Sequence, residues 1–238
     1  MAFTEIVFPI LEADENARKA FYDNVPGLVK ANFNVVGGPK ASAVARILES
    51  TPINAEGHCG YLAIFSWESL DTIKDFMKSS GFANFKKSLM ELVAGPPVLQ
   101  FFQAPPDVAP EKTLEGSTHF FVIKAMGTEA QIGWAKGRWD ELTAMFSTIA
   151  GDKVKYHTGH GKEVCDGHFA GFSGWKTIAV GSSFEDMPPI NLAMTATDFP
   201  PQALNKTLEQ AEVQKQLHSL AEAGGSISSF ILELNHVL

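Results

Sequence analysis

Cysteine is nearly missing from this sequence. Cys59 and Cys165 are the only thiols in 238 residues, they stand far apart, and no CxxC pair exists. A disulfide scaffold is therefore excluded, and so sparse a use of thiols points to a reducing compartment. Positive charge is also short. Nineteen Lys and Arg stand against 27 Asp and Glu, a formal net charge of −8. No basic cluster is present to neutralise phosphates, so nucleic acid and anionic membrane are poor partners. No run of about 18 uncharged apolar residues occurs, and nothing is expected to span a membrane. The stretch Met1–Lys19 lacks a basic start and Glu5 interrupts its apolar run, so it does not read as a secretory signal. A soluble, cytoplasmic protein is the expectation.

Cofactor signatures are missing too. No dinucleotide fingerprint appears. Gly159-His160-Gly161-Lys162 lacks the upstream glycine and the following Ser or Thr of a phosphate loop. Gly171-Phe172-Ser173-Gly174 has the wrong spacing for a nucleophile elbow. The series His157, His160, Cys165, His168 contains zinc and copper ligand types. On a strand, however, His157 and His160 point to opposite faces, so no metal is expected. No cofactor is expected either.

What the chain does have is apolar bulk: 45% hydrophobic residues, with 18 Phe. That is enough to bury a real core. A Pro-rich segment, 104–116, with Pro105, Pro106 and Pro110, reads as a linker because proline lacks the backbone donor and disfavours regular structure before it. The halves on either side, 1–103 and 117–238, look alike. Each opens with a β-rich run, Thr4–Leu11 and Thr118–Ala125, followed by a helical stretch, Asn16–Val29 and Ala130–Ile149. Gly60-Tyr61-Leu62-Ala63-Ile64-Phe65-Ser66-Trp67 then matches Gly167-His168-Phe169-Ala170-Gly171-Phe172-Ser173-Gly174-Trp175 with one inserted glycine. A second helix follows in each half, at Leu70–Val93 and within Pro201–Ala223. Ala-Gly and a closing strand end each, at Val98–Phe102 and Ile227–Leu234.

Strand, helix, strand, strand, helix, strand is the split βαβ of the ferredoxin-like fold. The expectation is an α+β chain of two tandem ferredoxin-like repeats, packed sheet to sheet as an intrachain pseudo-dimeric α/β barrel. Such a chain would be a monomer with an internal pseudo-dimer, or a homodimer. The segment 176–199 has no counterpart in the first half and reads as an insertion: a lid, or a surface excursion with an extra strand.

The run Phe65–Phe85, FSWESLDTIKDFMKSSGFANF, is similar to the third strand and second helix of the dimeric α/β-barrel superfamily, which includes antibiotic-biosynthesis monooxygenases and polyketide cyclases. Thr118–Lys124 resembles the histidine-bearing first strand of the cyclase branch. The resemblance implies roles for His119 on the first strand of the second half, and for His168 and Tyr61 on the third strands. It fails on the second helix, where the cyclase Tyr and His fall on Phe76 and Phe82.

Alternation puts His119, Phe121 and Ile123 on one face of a strand, and His168, Ala170 and Phe172 on one face of another. If both faces line the barrel, two imidazoles enter an apolar chamber, neutral and available as bases. Tyr61 and Glu5 take the corresponding first-half positions, and Tyr156 can add a hydroxyl. His119, His168, Tyr61 and Tyr156 are thus the candidate catalytic residues. Glu5, Phe65, Trp67, Phe121, Phe172 and Trp175 are the candidate substrate contacts, suited to a flat hydrophobic ligand. The reading that follows is a cofactor-free enzyme of specialised metabolism, cyclising or isomerising an aromatic or polyketide-like substrate by acid/base catalysis. A cofactor-independent monooxygenase and a non-catalytic binding or stress protein are the alternatives.

Overall fold

Period-two runs of β-branched and aromatic residues form the strands, and Ser, Thr and Asp caps start the helices between them. Along the chain lie β1 (Phe3–Ile10), α1 (Glu15–Phe33), β2 (Ala41–Thr51), β3 (Tyr61–Trp67), α2 (Leu70–Phe76), α3 (Ser80–Leu89), β4 (Gly95–Gln103) and α4 (Pro110–Thr113). Then follow β5 (Thr118–Ala125), α5 (Glu129–Ala150), β6 (Val154–Lys162), a 3-10 turn (Glu163–Cys165), β7 (Phe169–Trp175), α6 (Ala211–Glu222) and β8 (Ser226–His236). The structure, a computed structural model, describes residues 1–51, 60–116, 118–125, 128–151, 154–175, 204, 207–222 and 226–238. At 49, 51, 118–125, 221–222 and 226–227 it describes the backbone alone. The insertion expected at 176–199 lies outside the described residues.

The eight strands close into one antiparallel barrel in the order β1-β3-β2-β8-β5-β7-β6-β4. Strands β1–β4 therefore stand side by side as β4-β1-β3-β2, and β5–β8 as β8-β5-β7-β6. The two sets meet along β2/β8 and β4/β6. Helices α1–α3 cover the outside of the first set, and α5 and α6 that of the second.

The described part of the barrel interior is apolar core. Ile6, Phe8, Leu62, Ile64, Phe102, Phe172, Phe230 and Leu232 point inward and pack into a single cluster. An eight-stranded barrel is wide enough for its own side chains to fill it or for one small ligand. Among the described residues the interior expected to hold substrate is lined by this packed cluster; the side chains of β5, His119 and Phe121 with them, lie outside what is described.

Two further expectations change in detail. The helix expected at Leu70–Val93 is broken into α2 and α3. Ser79 caps the second piece, its Oγ accepting from the Phe82 N–H at 3.1 Å. Gly81 lets α3 approach α1 closely, since a Cβ there would lie 2.7 Å from the Asn32 carbonyl oxygen. The Pro-rich segment 104–116 is likewise not a free tether. It carries α4, and Leu114 joins the barrel core. No described helix is long and apolar enough to cross a membrane.

Candidate functional site

Register decides which side chains share a space. In β1, Thr4, Ile6 and Phe8 point into the barrel, whereas Phe3, Glu5 and Val7 point out under the helices. In β3, Leu62 and Ile64 point in, and Tyr61, Ala63, Phe65 and Trp67 point out. Glu5 pairs across the sheet with Phe65 and Phe101, so its carboxyl belongs to the layer between sheet and helices.

That layer holds a cavity of about 330 Å³. Its floor is Glu5, Val7, Ala63, Phe65, Trp67 and Leu99 from the sheet. Its roof comes from α1 (Phe21, Val25, Phe33), α2 (Ile73, Phe76) and α3 (Phe82, Phe85, Lys86, Leu89). Met77, Met90, Pro96 and Pro97 complete the wall. The α3 residues recur at positions three and four apart, the spacing that puts them on one helix face. Phe33 packs against Phe65, Phe76 and Phe85 at ring separations of 5.2, 4.6 and 4.6 Å, which fixes the aromatic side of the wall.

Glu5 is the buried acid of this cavity, 8% exposed. The Trp67 indole N–H donates to its Oε2 at 2.8 Å. Burial raises the Glu5 pKa to about 7, and the indole hydrogen bond offsets part of that rise. A carboxyl that titrates near neutrality inside apolar walls is suited to accept a proton from a bound molecule and return it.

The other sequence candidates are dispersed. Glu5, Phe65 and Trp67 do come together, but in this layer and not in the barrel. Tyr61 lies outside the cavity, ring to ring with Tyr22 at 5.2 Å. Tyr156 is 46% exposed on the outer face of β6, so its hydroxyl does not enter the barrel. Phe172 is barrel core, stacked on His157 at 4.6 Å. Trp175 faces the helices of the second half, edge-on to Phe146 at 5.0 Å. His168 precedes β7, half-buried, and its Nδ1 lies 2.8 Å from the Cys165 carbonyl, which holds the ring in the turn. His119 stands in register between Gly174 and Leu232, and Phe121 between Phe172 and Phe230; their side chains lie outside what is described.

Counted from Trp67 in the first half and Trp175 in the second, the register explains the difference. Phe3 pairs with Trp67, and Thr118 with Trp175, so Thr4 and not Glu5 corresponds to His119. Tyr61 corresponds to Phe169, because the extra glycine displaces His168 out of the strand. A one-residue shift moves a side chain to the other face.

Among the described side chains, the imidazole buried in the barrel is that of His157. Its Nε2 lies 3.3 Å from Thr4 Oγ1 and its Nδ1 lies 2.9 Å from Thr113 Oγ1. His160, further along β6, is exposed on the opposite face. Among the described residues no three His, Cys, Asp or Glu side chains gather as metal ligands would.

Among the described residues the corresponding layer of the second half is tightly packed. A Cβ on Gly171 would lie 2.3 Å from the ring of Trp139, which rests against the bare glycine. Trp139, Phe146, Phe169 and Trp175 are all fully buried there. Gly171 occupies the position of Ala63 in the first half, where the cavity opens.

No family model and no curated protein matches this chain. Solved structures do. An anthrone oxidase-like protein is 12% identical over 99% of this chain and 91% of its own, with a TM-score of 0.57. A protein named for monooxygenase activity from Lactobacillus acidophilus is 8% identical, over 99% and 95%, with a TM-score of 0.54. A heme-binding protein from Thermus thermophilus is 12% identical, over 98% and 90%, with a TM-score of 0.50. At these identities the likeness is one of fold: a ferredoxin-like, dimeric-type α+β barrel. Haem iron is held by His, Cys, Tyr or a Met paired with His; the described cavity lining contains Met77 and Met90 but no His, Cys or Tyr.

Proposed function

We propose that this chain is a cofactor-independent enzyme that oxidises a hydrophobic, anthrone- or phenol-like aromatic substrate in the first-half cavity. The observation that carries this reading is Glu5, an acid titrating near neutrality among aromatic walls. The fold's likeness to an anthrone oxidase-like protein and a monooxygenase-named protein supports it.

In the proposed reaction the Glu5 carboxylate takes a proton from an acidic C–H or O–H. The resulting anion delocalises over the rings and gives one electron to dioxygen. The radical pair combines and protonated Glu5 returns its proton to the peroxide. Loss of water then leaves a carbonyl where a methylene stood, so that CH₂ and O₂ become C=O and H₂O. Phe33, Phe76, Phe82 and Phe85 hold the rings and exclude bulk water, which keeps the anion from simply being reprotonated.

Those same walls would fold a flexible chain, which favours a second reading. The anion would then close a ring, or shift a double bond, without oxygen. In either case we read the two halves as copies of one ferredoxin-like unit, divided at 104–116, each supplying half of the barrel.

The test measures oxygen uptake and product with anthrone as the probe, in air and under argon, for wild type and Glu5→Gln. Oxygen uptake by wild type, lost in Glu5→Gln, supports the oxidase. Argon-insensitive turnover points to ring closure or isomerisation. Equal turnover of both variants removes Glu5 from the chemistry. Binding of the probe with no turnover makes the protein a carrier.

A further inference from the structure

The cavity wall contains two ionisable side chains, and they sit at different depths. Glu5 is buried in the sheet. Lys86 is exposed on α3, on the same helix face as Phe82, Phe85 and Leu89, and lines the cavity from its rim, the placement in which a lysine stem covers apolar surface and its ammonium stays in water. Among the described residues Lys86 enters no ion pair. The Glu5 carboxyl accepts from Trp67, and no ion pair joins it to Lys86. An ammonium within pairing distance of a buried carboxyl would dominate its titration. The two charges are therefore held apart by apolar wall, one at the floor and one at the mouth.

From this the geometry points to a substrate class: flat aromatic acids, with the reacting C–H or O–H directed to Glu5 and a carboxylate left at the mouth on Lys86. The chain's net charge of −8 repels anions in general, which makes a cation at the cavity rim a discriminating contact. The opposite orientation would put the ligand's carboxylate beside an acid that titrates at about 7, forcing two like charges into apolar surroundings. Both ends of the cavity thus favour one orientation. This assignment rests on the cavity being the substrate site, and it concerns recognition and not the chemical step.

The experiment uses non-reacting probes, so that its outcome does not depend on turnover. Affinities of 2-anthracenecarboxylate and its neutral methyl ester are measured by fluorescence titration, at low and high salt, on wild type, Lys86→Met and Val7→Phe. Wild type is expected to prefer the acid by about fivefold, the size of an exposed ion pair, with the preference shrinking in salt. Lys86→Met keeps the apolar stem and is expected to bind acid and ester equally, with the ester unchanged. Val7→Phe, which fills the floor, is expected to weaken both. A wild type indifferent to the charge, or a preference surviving in Lys86→Met, overturns the inference even where Glu5→Gln abolishes turnover. Probe binding unaffected by Val7→Phe overturns the cavity as the site.

Discussion

Thr4 and Glu5 are neighbours on β1 and serve opposite sides of the sheet. The Thr4 hydroxyl meets His157 inside the barrel at 3.3 Å, while the Glu5 carboxyl accepts from Trp67 in the layer under the helices at 2.8 Å. One peptide unit thus separates the polar network that ties the halves together from the acid of the candidate site.

The first prediction concerns rate against pH. If the Glu5 carboxylate is the base, kcat/KM rises about tenfold per pH unit in the acid limb and levels off above a pH of about 7, where Glu5 ionises. Trp67→Phe removes the hydrogen bond that lowers the Glu5 pKa, so the limb moves to higher pH. A profile unmoved in Trp67→Phe assigns the limb to another group.

Stability should run the other way. The folded-state pKa of Glu5 lies above its ordinary value of 4.5, so between pH 4.5 and 7 the folded protein holds a proton that the unfolded chain releases. Stability therefore falls as pH rises through that window, by up to about 3 kcal/mol for a shift of this size. Glu5→Gln keeps an acceptor for Trp67 and carries no charge. It is expected to melt higher than wild type at pH 8 and at the same temperature at pH 4, as scanning calorimetry would show.

Gly171→Ala tests the filled layer of the second half. The new methyl would lie 2.3 Å from the ring of the fully buried Trp139, and a rigid ring in a packed core yields little. Overpacking of this kind costs about 1–3 kcal/mol. A lowered unfolding midpoint in urea is expected, with oxygen uptake at 25 °C largely retained because the cavity belongs to the other half.

Thr113→Val tests the seal made by α4. The substitution keeps the shape and removes the 2.9 Å contact with His157 Nδ1, at a cost of about 1 kcal/mol or more. Combined with Thr4→Val the two losses should depart from additivity, since both hydroxyls serve one ring. Additive losses would mean that the ring does not couple them.

The fold was readable because its signals are periodic. Alternating runs marked the opening and closing strands, and Ser and Thr caps lie close to the expected helix starts. Face assignment was harder. Glu5 was expected to line the barrel and lies in the helix layer, and with a period of two a shift of a single residue is enough to exchange the one for the other. Phe65 and Trp67 were legible as ligand contacts through their aromatic character, but not the side on which they act. Lys86 gave no signal, since one lysine among several on a polar helix looks like any other. Nor could spacing show that Trp139 fills one layer while its counterpart stays open, because that depends on the missing Cβ of a distant glycine.

Closure of the barrel has a last consequence. Every strand has a hydrogen-bonded neighbour on each side, and the two seams, β2/β8 and β4/β6, each join strands distant along the chain. Severing the peptide near α4 would leave either fragment with two bare backbone rims and one greasy sheet surface, the combination that draws chains into aggregates. Melting should accordingly be one concerted event, with neither fragment surviving the loss of its mate.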